Sequence, residues 1–144
     1  MKDMGETQKK VFDYFRAYEA EQFSFYRIPK VLFTDEYFQD LSTDAKVLYG
    51  LMLDRMVLSK RNRWFDEEGR VYIIFTVEEV ATYMNCGRAK SMKLLAELDM
   101  KKGIGLIERV KRGFGQSDVI YVKNFIQSGL ELEQETASPD DQNV

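Results

Sequence analysis

The sequence predicts an α+β domain, mostly helical with one small β-hairpin, and three observations predict it. A long amphipathic pattern covers residues 43–59, two short helical patterns between 76 and 101 are split by Asn85-Cys86-Gly87, and two β-type runs, LIERVKR and DVIYVKNF, flank the glycine-rich GFGQS. At 144 residues, 44% hydrophobic and 31% charged, the chain is long enough for one core and short for two.

Residues 1–22 place Val11, Phe12, Phe15 and Tyr18 at a spacing compatible with one helical face, but Gly5 and the surrounding charges weaken an isolated helix. This segment reads as a flexible arm that orders on a partner, a second copy of the chain included, ahead of a folded domain at 23–126. FSFYRIPKVLF follows as an extended aromatic run in which Pro29 steers Ile28 away from helix, with a short helical turn toward Phe33. Its aromatics read first as core and second as a dimer contact. Ser42 is a good N-cap for a helix from Thr43 to Ser59, whose Ala45, Leu48, Met52 and Met56 lie beside Val47, Leu51 and Leu58 as a broad apolar stripe.

Lys60 to Arg70 is polar, with Trp64 and Phe65 expected inward and a turn at Gly69; VYIIF at 71–75 then reads as a fully buried strand. Thr76 with Glu79 forms a capping box that opens a helix to about Met84. A second helix is expected from Arg88 to Lys101 with Ala89, Met92, Leu95 and Leu98 inward. The final hairpin buries Ile107, Val110, Ile120 and Val122 against the helices. Strand, helix, turn, helix and hairpin in that order is the winged helix-turn-helix arrangement.

The chain has no histidine, which excludes a Ser/His/Asp triad, a Cys/His dyad and a His-ligated metal. The single cysteine, Cys86, closes no internal disulfide and reads as packing in the turn. Asp66, Glu67 and Glu68 before Gly69 read as a turn rather than a Mg²⁺ site, so no catalytic residue, metal or cofactor is expected. No apolar run approaches the ~20 residues that span a bilayer, and the N-terminus lacks a signal-type apolar core, so the expected setting is cytoplasmic with no membrane partner.

The net charge of −3 and pI of 5.1, taken whole, argue against a nucleic-acid partner. The charge is unevenly placed. Residues 127–144 hold five acidic and no basic residues in linker composition, which reads as an acidic disordered linker to a further C-terminal domain. Residues 1–126 hold twenty-one basic and nineteen acidic residues, net +2, and 88–123 hold nine and four, net +5.

With 89, 92, 95 and 98 inward, Arg88, Lys90, Ser91 and Lys93 project elsewhere from the N-terminal half of the second helix. A recognition helix inserts those positions into the major groove, where Arg, Lys and Ser meet base edges. The hairpin tip adds Lys111, Arg112, Gly113, Phe114, Gly115, Gln116 and Ser117, in which glycines permit close approach and cations neutralise phosphates. Lys60, Arg61 and Arg63 are candidates for extra phosphate contacts. Each feature alone has a plainer reading, a solvated helix face or an ordinary turn. Together, in this order, they favour a non-enzymatic double-stranded DNA-binding domain. The competing readings are a transcriptional regulator of the same fold and a winged helix used as a protein-interaction module.

The run from FSFYRIPKVLF through VEEVATYMNC, followed by KLLAELD, GLIERVKRGFG and IYVKNF, resembles the plasmid replication initiator A N-terminal domain family (RepA_N) from about Phe23 to Phe125. YRIPK, LYGLMLDRM, Asp66 to Phe75 and IYVKNF are its distinctive blocks. The resemblance implies a winged-helix domain, usually a homodimer, that binds repeats at a replication origin, with a separate C-terminal domain contacting host replication proteins. It further implies that Arg88, Lys90, Ser91 and Lys93 read bases while Lys111, Arg112 and Gly113 to Ser117 grip backbone or minor groove. Gly87-Arg88-Ala89 departs from similar sequences, which often carry Ser or Lys after the turn cysteine, so the target sequence is not carried over.

Overall fold

Pro29 turns the incoming chain onto the core, and helix α1 (Val31–Thr34) buries Val31 and Leu32 immediately after it. The computed structural model describes residues 9–18 and 22–125. The remainder of the expected arm and the whole expected linker at 127–144 lie outside the described residues. Within the arm, residues 9–18 form no helix, and Val11, Phe12, Tyr14, Phe15 and Tyr18 are exposed. Asp35 then closes α1 and caps a 3₁₀ turn (Glu36–Phe38) by accepting from the Tyr37 N–H at 2.9 Å.

Helix α2 (Thr43–Arg61) starts at Ser42, whose hydroxyl accepts from the Ala45 N–H at 3.1 Å. The same serine donates its N–H and hydroxyl to Glu97 at 2.9 and 2.8 Å, so one residue caps α2 and ties it to a later helix. Gly50 lets the extended segment cross α2: a Cβ there would stand 2.8 Å from Ile28 and 3.0 Å from the Arg27 carbonyl. The buried stripe includes Ala45, Leu48, Leu51 and Met52 as expected, and also Tyr49, whose hydroxyl donates to the Lys123 carbonyl. Leu58 is exposed instead, although Ser59 beside it is fully buried, so the covered face of α2 passes through 59 rather than 58.

Helix α3 (Val77–Met84) carries the Thr76–Glu79 capping box, both bonds at 3.0 Å, and ends at Asn85 in the left-handed conformation (φ 56°). Helix α4 (Arg88–Leu98) stops three residues before the expected Lys101. Its buried face is Ser91, Leu94, Leu95 and Leu98, while Ala89 and Met92 are exposed, so the expected register is corrected by one step around the helix. Strands β1 (Ile107–Val110) and β2 (Val119–Val122) pair antiparallel, Ile107 opposite Val122 and Val110 opposite Val119. Because side chains alternate, Val110 lies on the opposite face from Ile107, Ile120 and Val122.

VYIIF at 71–75 is not the continuous buried strand expected. Only Ile73 joins the sheet, exchanging two 2.9 Å backbone bonds with Ile120, and burial alternates, with Ile73 and Phe75 inside and their neighbours half-buried. Trp64 stacks on Tyr72 at 6.2 Å, while Phe65 turns out to solvent rather than inward. One core, built from α1, α2, α3, α4, Ile73, Phe75 and the hairpin, holds these elements together.

Candidate nucleic-acid interface

Helix α4 presents a face set by its own packing. Leu94, Leu95 and Leu98 point into the core, so Arg88, Ala89, Lys90, Met92 and Lys93 are left exposed along the N-terminal two turns. Ser91 is not among them. It is fully buried, donates to the Gly87 carbonyl at 2.8 Å and meets the Cys86 sulfur at 3.4 Å, so its hydroxyl serves the turn between α3 and α4 and is withdrawn from the surface. The expected base-reading role of Ser91 is therefore corrected: a locally satisfied hydroxyl is cheap to bury. Cys86 accordingly belongs to the packing of the turn.

The cations differ in their partners. The Arg88 guanidinium bonds Glu78 in the first turn of α3, and Lys90 bonds Asp44 in the first turn of α2 at 2.6 Å. Hydrogen bonds from its own backbone N–H and from Arg88 hold the Glu78 carboxyl below its usual range, and the bond to Asp44 raises the Lys90 ammonium. Lys93 makes no ion pair among the described residues. Neither Asp44 nor Glu78 was expected at the site; no local pattern signals a contact between the starts of different helices.

The hairpin is anchored to the end of α4. Asp99, its C-cap, is buried, forms a bridge with Ile107, and its carboxylate accepts from the Arg109 backbone N–H and guanidinium at 3.4 Å. Arg109 is thus structural, and Lys123 faces Glu108 at 3.8 Å. Beyond the strands, the wing turns through Gly113 (φ 119°) and Gly115 (φ 79°), a left-handed excursion that glycine makes without strain. Between them Phe114 is fully exposed, and Lys111, Gln116 and Ser117 are exposed around it. Arg112 donates from Nε to the Ser117 carbonyl at 3.0 Å, closing the wing, while its outer nitrogens have no partner among the described residues. The returning wing, at Ser117 and Asp118, borders a cleft of about 150 Å³ with Thr76, the N-cap of α3, Val77 of α3 and Leu95 of α4. Wing root and helix pair therefore sit side by side.

Lys60, Arg61 and Arg63 are exposed, but Lys60 and Arg61 end α2 and Arg63 follows its C-cap, so the group begins about 24 Å along the helix axis from Asp44 by its rise per residue. The structure does not bring them to the N-terminus of α4. Next to them, the Asp66 carboxylate accepts from the Glu68 and Arg70 N–H groups, the Arg70 guanidinium and the Tyr121 hydroxyl. Desolvation alone would raise this carboxyl, and those four bonds bring it down to about 2. The acidic triplet is thus a bonded turn. Among the described residues no group of three His, Cys, Asp or Glu side chains gathers as for a metal ion, and no helix is long and apolar enough to cross a membrane.

Two helices joined by the Asn85-Cys86-Gly87 turn, with a hairpin fixed to the end of the second, define a winged helix-turn-helix domain. The profile of the replication initiator protein A (RepA) N-terminus matches residues 24–134, and the chain belongs to that family. A "41 kDa protein" of Lactobacillus helveticus is 31% identical over 104 residues, 70% of this chain and 29% of that protein, so the chain spans less than a third of this relative's length. Similar solved structures include an N-terminal domain of a DNA-binding protein (TM-score 0.64, 31% identity, covering 93% of this chain and 98% of that one). A Rep–DNA complex gives 0.64, 31%, 92% and 98%, and an MDR initiator 0.63, 32%, 89% and 98%.

Proposed function

We propose that this chain is a sequence-specific, non-enzymatic double-stranded DNA-binding domain acting at the repeats of a plasmid replication origin. The observation that carries the reading is the exposed row Arg88, Lys90 and Lys93 on the outward face of the second helix of a helix-turn-helix, beside a cationic wing. In the major groove, Arg88 and Lys90 donate to guanine O6 and N7, Lys93 reaches base or phosphate, and Ala89 and Met92 offer apolar contact to thymine methyl groups. Lys111 and Arg112 neutralise phosphates, and Gly113, Phe114, Gly115, Gln116 and Ser117 lie along backbone or minor groove. Kinship with the RepA N-terminus and likeness to a Rep–DNA complex support the assignment.

The domain acts as a homodimer on its repeats, with the aromatic arm at 1–22 contributing to the pairing. The acidic stretch at 127–144 links it to a C-terminal part that engages host replication proteins. Selection of binding sites from a randomised duplex pool tests the reading. Enriched sites are expected to contain a common motif in directly repeated copies, as at an origin; a lone palindrome would indicate a transcriptional regulator, and no enrichment would indicate a protein-interaction module.

A further inference from the structure

Both cations at the very start of α4 are already engaged by carboxylates from other helices. Glu78 holds one edge of the Arg88 guanidinium, through Nη1, and Asp44 holds one of the three Lys90 donors at 2.6 Å. All four side chains are exposed, so neither pair contributes much to folding. Lys93, one turn further along, has no such partner among the described residues.

An ion-paired cation differs from a free one in two ways that matter at DNA. Its net charge is cancelled, so it releases no counterion equivalent and adds little to attraction by any phosphate backbone. Its unused N–H donors remain, and the carboxylate holds them in one direction. Among the described residues, Arg88 has no partner for Nε and Nη2, and Lys90 keeps two ammonium hydrogens. Those donors suit a guanine edge, which asks for direction rather than charge.

Resting on the DNA-binding reading above, we infer that Asp44 and Glu78 are specificity-determining residues: they suppress charge-driven binding to arbitrary DNA while aiming Arg88 and Lys90 at base edges. Glu78 lies outside the Thr76–Glu79 capping box, so the neutral isostere leaves that cap in place.

The test compares the wild-type chain with Glu78→Gln and Asp44→Asn on two duplexes: one enriched by the wild-type chain from a randomised pool, and a scramble of the same composition. Each variant is expected to bind the scramble roughly two- to fivefold more tightly and to steepen its log-affinity against log-salt slope by about 0.9. Affinity for the enriched duplex rises less or falls, so discrimination narrows. In an Arg88→Ala background, Glu78→Gln should leave the ratio between the two duplexes unchanged. Equal gains on both duplexes, or a narrowing that persists without Arg88, would overturn the inference. Thermal melting of each variant confirms that the binding species is folded. A wild-type chain that enriches no duplex from the pool would instead sink the DNA-binding reading, and this inference with it.

Discussion

Lys111 and Arg112 give the sharpest test of the wing. Among the described residues Lys111 has no ion-pair partner, and Arg112 spends one donor on the Ser117 carbonyl while its outer nitrogens have no partner. Each therefore brings a whole positive charge to a phosphate. Replacing both with Ala removes two contacts, which flattens the slope of log affinity against log salt by about 1.8. Between 50 and 200 mM salt, that change in slope corresponds to a difference of about twelvefold in how far affinity falls.

Fluorescence anisotropy of a labelled duplex over a potassium chloride series measures the slope directly. The loss should be nearly the same on enriched and scrambled duplexes, because phosphates carry no sequence information. Arg112→Lys separates charge from structure: it keeps the cation and loses the fixed bond to Ser117. It should retain the slope that Arg112→Ala loses, about 0.9. A double variant with an unchanged slope refutes contact between wing and backbone, and an Arg112→Lys slope as flat as that of Arg112→Ala assigns the residue to closing the turn.

Three further outcomes follow from the same geometry. Lys93→Ala should weaken binding to an enriched duplex more than to a scramble, whereas Ser91→Ala, which removes a buried hydroxyl bonded to Gly87, should cost about 1 kcal/mol in urea unfolding and leave discrimination intact. Gly103→Ala should destabilise by about 3 kcal/mol, the upper end for overpacking, because a Cβ there would stand 2.0 Å from the Glu97 carbonyl oxygen; a melt matching wild type would show that the turn opens freely. Asp66 is held down to about 2 when folded, against about 4 when unfolded, so its contribution to stability is complete above pH 4 and disappears as pH falls toward 2. Asp66→Asn should remove that part of the acid sensitivity, read as a smaller drop in melting temperature between pH 4 and pH 2.

The parts of the fold legible in the sequence are those set by local chemistry. Ser42, the Thr76–Glu79 box and the Asn85 break each satisfy or end a helix through bonds within a few residues, so a short pattern reveals them. The illegible parts depend on what lies opposite. VYIIF looks uniformly apolar, yet only alternate residues meet the core, since the segment lies at the edge of the hairpin and joins it through Ile73 alone. The pairs joining Asp44 to Lys90 and Glu78 to Arg88 exist only because the starts of three helices converge.

The register of α4 departs from its most apolar row for a reason that bears on function. Ala89, Met92, Leu95 and Leu98 make as good an apolar row as Ser91, Leu94, Leu95 and Leu98, and apolarity alone chooses the former. The structure chooses the latter because Ser91 satisfies its hydroxyl on the Gly87 carbonyl within its own turn and can be buried at little cost, which lets the adjacent leucine pair fill the core. Ala89 and Met92 are then left outside among three cations, where packing within the chain gives them no role. Local rules tend to break where a surface has a second task, and an apolar side chain interleaved with donors is what a helix needs to read a groove that displays thymine methyl groups beside guanine acceptors. The residues that spoil the simple amphipathic pattern are thus themselves an argument for the face on which recognition takes place.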